Sequence, residues 1–371
     1  MIFFLLCAGG FLYILVGYPL LLALLARIWS RPSKAGPFEP TVSVLLPVHN
    51  GEPWLEQKLQ NLLALDYPRE KVQIVVISDG SEDRTEEIAR RYPVQLISMG
   101  KRGKAAALNR GLQAATGEIL FFTDVRQKLN TEALRRLMER FADPEVGVAT
   151  GELIILDGST QEEARVGLYW EYEKWIRKRL SRLDSVLGAT GCIYAMRRAL
   201  AHPMPEGTLL DDVHLPMQAF FAGYRIVMED RALAYDSPTG LGTEFWRKVR
   251  TQAGIYQLIG QFPALLWPGT RMWLHFVSYK LGRLLLPFLL LGLAGSSLLL
   301  PDPERWLAIG AQALFYLLAL SNRWVGPRAG LLKRITSLAS TFVVLVSAAF
   351  CGIALVFVPA SKLWRTRSPS S

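Results

Sequence analysis

Cysteine is scarce in this chain. Three residues in 371, Cys7, Cys192 and Cys351, two of them inside apolar end segments, do not make a disulfide framework and are compatible with a reducing compartment. The four histidines, His49, His202, His214 and His275, are scattered and form no HExxH or comparable metal-binding spacing. No Cys/His finger or other nucleic-acid motif is present, and the basic residues are spread along the chain. Nucleic acid is therefore the weakest partner for a net charge of +10. An anionic membrane surface or a phosphate-bearing substrate suits that charge better. Residues 47–51 (PVHNG) lack the glycine fingerprint that a nicotinamide dehydrogenase carries after its first strand. Internal repeats and low-complexity segments are also missing.

Apolar residues are abundant. They make up 51% of the chain against 20% charged, with a mean hydropathy of +0.22; soluble domains average about 45–50% and about 25%. The excess sits at the two ends. Residues 1–26 carry no charge and Arg27, Arg31 and Lys34 follow. This order predicts an uncleaved transmembrane anchor over 1–27 with the next domain in the cytosol; a cleaved signal is the weaker reading, since no clear A-x-A site follows. Residues 28–40 are a Pro/Gly linker. Residues 255–279 mix Trp, Phe and Leu with Pro, Arg and His, as an amphipathic segment in the membrane interface does. Candidate transmembrane helices follow over 281–300, 306–320 and 335–358, the middle one short for a bilayer. Arg323, Arg328, Lys333 and Arg334 favour a cytosolic loop before the last span, which sends the C-terminus outside; Lys362, Arg365 and Arg367 in the 359–371 tail argue mildly the other way. The expected location is the cell membrane, multi-pass, with a cytosolic middle domain.

That middle domain spans residues 41–254. The β-rich runs VSVLLPV (42–48), VQIVVIS (72–78), VQLIS (94–98), EILFFTD (118–124) and VGVATG (146–151) alternate with amphipathic helical stretches at Glu52–Leu65, Asp83–Arg91, Lys104–Ala115 and Thr131–Phe141. The alternation predicts an α/β fold with a Rossmann-like, mostly parallel sheet covered on both faces. Ligands of such sheets bind at the C-terminal strand ends.

Five features fall on those ends. Pro47-Val48-His49-Asn50-Gly51 is a turn that lets backbone approach a ligand, or an ordinary strand-to-helix turn. In Ser78-Asp79-Gly80-Ser81-Glu82-Asp83-Arg84-Thr85, Asp83 suits a helix cap and Asp79 suits a nucleobase N–H; a plain Asp-Gly turn is the bland alternative. Lys101-Arg102-Gly103-Lys104, with Asn109 a turn later, puts cations at a helix N-terminus, which favours phosphate over a merely solvated loop. In Phe121-Phe122-Thr123-Asp124-Val125-Arg126 a carboxylate directly follows a buried strand, as a ligand group or a cap. Adjacent Asp211 and Asp212 follow an apolar pair, where one is suited to act as a general base and an N-cap pair is the competitor. The aromatic run 169–175 (YWEYEKW) lies on a helix, for packing or for stacking on sugar.

In order, these motifs resemble glycosyltransferase family 2, inverting nucleotide-sugar enzymes of the GT-A fold, and in particular its membrane-embedded branch of cellulose, chitin, hyaluronan and poly-N-acetylglucosamine synthases. The resemblance covers about residues 40–260. It implies a UDP-linked hexose or N-acetylhexosamine as donor, a glycan or lipid-linked acceptor, and Mg²⁺ or Mn²⁺. It implies that Asp79 holds the base, that Pro47, Asn50, Lys104, Asn109, Asp124 and Arg126 line the nucleotide-sugar site, and that Asp124 is the first acid of D-x-D and the metal ligand. Asp212 matches the Asp of T-E-D, the base, with Asp211 beside it. Gly191, closing Gly188-Ala189-Thr190-Gly191, matches the acceptor segment, and Arg247 and Arg250 fall where processive members carry Q-x-x-R-W. Two positions depart from the pattern. Arg126 replaces the second acid of D-x-D, so that either Asp124 and the diphosphate hold the metal or Arg126 neutralises the diphosphate itself. Thr251 replaces the sugar-stacking Trp, which weakens the case for long-chain processivity. A non-catalytic nucleotide-binding subunit of an export complex is the alternative of a different class; the Arg126 change supports it and the retained Asp79, Asp124, Asp211 and Asp212 oppose it.

Overall fold

The computed structural model describes residues 1–156, 161–237, 241–326 and 329–356, with backbone alone for 161–170, 241–244 and 354–356. Two compact units emerge: one from Met1–Leu25, Asp157–Glu173 and Thr239–Val358, the other from Ala26–Leu156 and Lys174–Pro238.

The second unit is built on an eight-stranded sheet. Its strands are β1 (Val42–Val48), β2 (Val72–Asp79), β3 (Gln95–Met99), β4 (Ile119–Phe122), β5 (Lys128–Leu129), β6 (Val146–Ile155), β7 (Tyr194–Arg197) and β8 (Arg225–Asp236), in the order β3-β2-β1-β4-β7-β6-β8-β5. The apolar runs explain its centre. Val42, Val44, Leu45 and Leu46 of β1 and Ile119–Phe122 of β4 are buried on both faces, so both faces need cover. Helices Glu52–Leu63, Thr85–Arg90 and Lys104–Ala114 fill the crossovers between the first four strands, and β3, β2, β1 and β4 are parallel as the alternation predicts.

Beyond β4 the sheet is mixed. β7 enters antiparallel to both β4 and β6, β6 and β8 are parallel, and β5 returns antiparallel on β8. β5, β7 and β8 are not legible as strands: the first two are two and four residues long, and β8 is interrupted by Glu229, Asp230 and Arg231. Glu229 is nonetheless fully buried, because Arg140 and Arg231 both pair with it at 2.7–2.8 Å.

Residues 29–40, the expected linker, are strapped to the sheet unit. Arg31 N–H donates to the Arg182 carbonyl (2.6 Å), Gly36 N–H to Glu139 (3.1 Å), and buried Arg225 donates to the Arg31 carbonyl (2.6 Å).

In the other unit, three helices among the described residues are long and apolar enough to cross a membrane: Ile2–Ile28, Trp273–Ser297 and Gly330–Ile353. Glu304–Ser321, over the short third candidate, is helical but not one of them. The helix from Trp273 takes in the end of the segment expected at the interface. Two polar residues of that segment are satisfied inside the unit: Tyr18 Oη lies 3.1 Å from His275 Nδ1, and Tyr279 engages Glu173. Residues 241–254, expected in the middle domain, begin a helix, Leu241–Gln261, that belongs to this unit. Arg328 and the tail with Lys362, Arg365 and Arg367 lie outside the described residues.

At Gly117 an added Cβ would lie 2.5 Å from Ser43 N and 2.6 Å from the Val42 carbonyl carbon, both backbone atoms of β1. Gly117→Ala should therefore destabilise the sheet unit by about 1–3 kcal/mol through overpacking. Thermal unfolding in detergent reads this as a lower midpoint, and an unchanged midpoint would mean that the turn before β4 can move off β1.

Candidate functional site

The C-terminal ends of β1, β2 and β4 carry the predicted residues. Asp79, the last residue of β2, is 6% exposed. Its two carboxylate oxygens accept from the Arg102 and Gly103 N–H groups at 2.7 and 2.8 Å, and its carbonyl faces His49 Nδ1 at 2.8 Å. Gly80 makes that approach feasible: its φ is +63° and Lys101 N would stand 2.6 Å from a Cβ. Asn50 is left-handed (φ +49°). It accepts at Oδ1 from Glu82 N–H and donates its own N–H to Ser81 Oγ, locking the β1 turn to the β2 turn. Pro47 lies one residue before the end of β1, opposite Ile77. Asp83 accepts from Glu52 N–H and from Thr85 N–H, just ahead of the helix Thr85–Arg90, whose N-cap position is Arg84.

Lys104 opens the next helix and reaches two carboxylates at once. Its Nζ is 3.0 Å from Asp124 Oδ1 and 3.1 Å from Asp211 Oδ2. Burial works against the ammonium, but Asp124, Asp211 and Asp212 outweigh it and hold its pKa well above the ordinary lysine value. Asp211 is 5% exposed and begins the helix Asp211–Phe221. Asp212 is half-buried and packs on Gly191, where a Cβ would meet its carboxylate oxygen at 3.0 Å. The Asp212 carbonyl accepts from Ala189 N–H at 2.7 Å, so the 188–191 segment and the Asp pair are fixed to each other.

Four predicted residues lie apart from the Lys104 ion pairs. The Asn109 amide is committed to the backbone of Met204, donating at 2.7 Å and accepting at 2.9 Å, so it pins the loop before the Asp pair. Arg126 points to Asp236 at the end of β8, 2.6 Å away. Arg247 and Arg250 belong to the helical unit. Of the 169–175 run, the side chains of Tyr169 and Trp170 lie outside the described residues.

Lys58 and Asp236 were missed. Lys58 is 2% exposed and donates to Thr123 Oγ1 (2.8 Å) and the Gln127 carbonyl (2.6 Å), the two ends of the turn that bears Asp124 and Arg126. A lysine among Leu55, Leu59 and Leu62 on one helix face was the available signal. Asp236 gave none, because β8 does not read as a strand. Below the site, Tyr194 stacks on Phe122 at 4.4 Å, and burial raises the Cys192 thiol to about 12.

Comparison with known proteins bears directly on this geometry. Residues 43–203 match the model of "Glycosyl transferase family 2", which takes in Asp79, Lys104, Asp124 and Gly191. The chain carries a glycosyltransferase family 2 domain. A Bacillus subtilis (strain 168) protein named "Probable glycosyltransferase YdaM" is 23% identical over 227 residues, 56% of this chain and 53% of that protein. The poly-β-1,6-N-acetyl-D-glucosamine synthase of Staphylococcus aureus (strain COL) is 25% identical over 229 residues, 59% of this chain and 55% of that protein. The chain thus aligns with about half the length of these curated relatives. A mannosyltransferase from Pyrobaculum calidifontis, solved with GDP-Man and Mn²⁺, superposes with a TM-score of 0.74 at 22% identity, over 96% of this chain and 99% of that one. That likeness establishes the GT-A fold.

Burial pushes the Lys58 ammonium down to about 8, while Cys192 and Asp124 act to raise it. Between that value and the ordinary 10.5, the unfolded chain binds more protons at this site than the folded one, so this lysine makes stability rise with pH across that window. Compared with wild type, Lys58→Met should lack this rise between pH 8 and 10; pH-dependent unfolding midpoints running parallel in the two proteins would contradict it.

Proposed function

We propose that the protein is a membrane-bound, inverting glycosyltransferase that moves a sugar from a nucleoside diphosphate sugar, a UDP-linked hexose or N-acetylhexosamine, to a growing glycan. The observation that carries this reading is the Lys104 ammonium held between Asp124 and Asp211 at the strand ends, with Asp79 and its two backbone donors beside it. In this reading Asp79 receives the base and Lys104 meets the diphosphate. Asp211 is buried and ion-paired, which makes it a poor base. Asp212, half-buried against Gly191, takes the proton of the acceptor hydroxyl. The acceptor oxygen then attacks the anomeric carbon from the face opposite the diphosphate and configuration inverts. Lys104 and Arg126 stabilise the charge that develops on the leaving group.

No set of three His, Cys, Asp or Glu side chains gathers for a metal among the described residues. Mg²⁺ is commonly held by one or two carboxylates together with substrate phosphates. Asp124, 37% exposed in its side chain, fits that sharing with the donor's diphosphate. Bound there, Mg²⁺ or Mn²⁺ would supply further neutralisation of the leaving group.

The three long apolar helices support a membrane location with the catalytic unit cytosolic, where nucleotide sugars are made. They suit either a polysaccharide that leaves through the membrane or a lipid-linked acceptor. Thr251 favours the second: its hydroxyl is spent on the Arg247 carbonyl of its own helix, and it offers no aromatic face to a passing glycan.

The first test is nucleoside diphosphate release by the detergent-purified protein with UDP-, GDP- and dTDP-sugars, each in Mg²⁺, Mn²⁺ and EDTA. Release with one donor, lost in EDTA and restored by metal, is expected; release unchanged in EDTA would remove Asp124 as a metal ligand. Asp212→Asn should cut transfer by about 10²–10⁴ while leaving donor affinity near wild type. Near-normal turnover in that variant would take Asp212 out of the base role.

A further inference from the structure

We infer that Asp236 is a positioning residue that aims the Arg126 guanidinium at the diphosphate of the donor. The inference rests on the nucleotide-sugar reading above and adds a residue to it. Arg126 stands two residues after Asp124, where the family pattern has a second acid, and a bare cation there would swing freely in solvent. Instead one of its N–H groups is fixed on Asp236 Oδ2 at 2.6 Å. Its other N–H groups make no hydrogen bond among the described residues, and its side chain is 38% exposed.

The acid that fixes it is itself built in. Asp236 closes β8 and is 8% exposed. Besides Arg126, its Oδ2 accepts from Gln127 Nε2 at 2.7 Å and its Oδ1 from the Ser237 N–H at 2.9 Å. The Asp236 carbonyl accepts from Leu156 N–H, which ties the same residue to the end of β6. Arg126 and Gln127 therefore converge from one turn on one buried carboxylate. A planar guanidinium held by one corner presents its remaining donors in a fixed fork, the geometry that suits phosphate oxygens. Lys58 anchors the other side of this turn through Thr123 and the Gln127 carbonyl, so the arginine pivots on a fixed base.

The experiment is calorimetric titration of the detergent-purified full chain with UDP and UMP, and in parallel GDP and GMP. Wild type should bind one diphosphate more tightly than its monophosphate. Arg126→Ala should weaken the diphosphate about tenfold and the monophosphate little. Asp236→Asn should weaken the diphosphate by several-fold in the same selective way, and Asp236→Glu should recover part of the loss. Diphosphate affinity unchanged in either Arg126→Ala or Asp236→Asn would overturn the inference alone. So would equal loss of mono- and diphosphate, which marks general damage to the turn. Should Asp236→Asn fail to fold, Asp236→Glu decides: a moved carboxylate should weaken the diphosphate selectively, and unchanged diphosphate affinity in it would overturn the inference. If wild type binds neither diphosphate, the inference falls together with the nucleotide-sugar reading, an outcome distinct from the other two.

Discussion

One ammonium group organises this site. Lys104 Nζ lies 3.0 and 3.1 Å from two carboxylates that are 87 residues apart in sequence, Asp124 after β4 and Asp211 at the start of a helix. Without it these two carboxylates would share a half-buried space as unanswered like charges; with it both are ion-paired. The interaction also reaches beyond charge. It ties the parallel half of the sheet, which delivers Lys104 and Asp124, to the Asp211 helix that follows the antiparallel β7.

The elements around Lys104 serve that placement. Gly80 and Gly103, both at positive φ, bring the β2 turn and the start of the Lys104 helix close enough for Asp79 to take two backbone N–H groups. Those donors satisfy a nearly buried carboxylate that would otherwise be costly. Lys58 does the same from below, exchanging its own burial cost for a fixed Asp124 turn. A destabilising lysine in a core is a usual sign that position matters more than stability.

How much was legible follows from the same physics. β1, β2, β3 and β4 are apolar runs with turn residues at their ends, and they were placed within two residues at most boundaries. Asp79 ends β2 and Asp124 follows β4, so these two could be expected to meet, whereas Lys104 opens the helix after β3 and Asp211 and Asp212 open one after β7. Asn109 illustrates the limit. Its type and spacing suit a ligand, but its amide is used up by Met204, 95 residues away, a contact no local pattern encodes. Lys58 gave a local sign as a lysine on an apolar helix face; Asp236 gave none, because its strand carries three charged residues in succession. The start of the helix beginning at Trp273 reads as interfacial for a related reason. His275 and Tyr279 look wet in sequence and find their partners in Tyr18 and Glu173 at long range.

Charge accounting links the Arg126 departure from the family pattern to the rest of the fold. Around the strand ends, Asp79 is answered by backbone donors, Asp124 and Asp211 by one lysine, and Asp236 by Arg126. The arginine in place of the second acid is met by a carboxylate of its own at the end of β8. The exchange leaves one fewer acid to hold a metal and one more fixed cation to meet phosphate. A diphosphate arriving at this edge would bring more negative charge than Lys104, already shared between two acids, can answer. In the proposed reading a metal on Asp124 and the free face of the Arg126 guanidinium take the remainder. The two are additive rather than exclusive, because Asp124 and Arg126 leave the same turn but engage different partners.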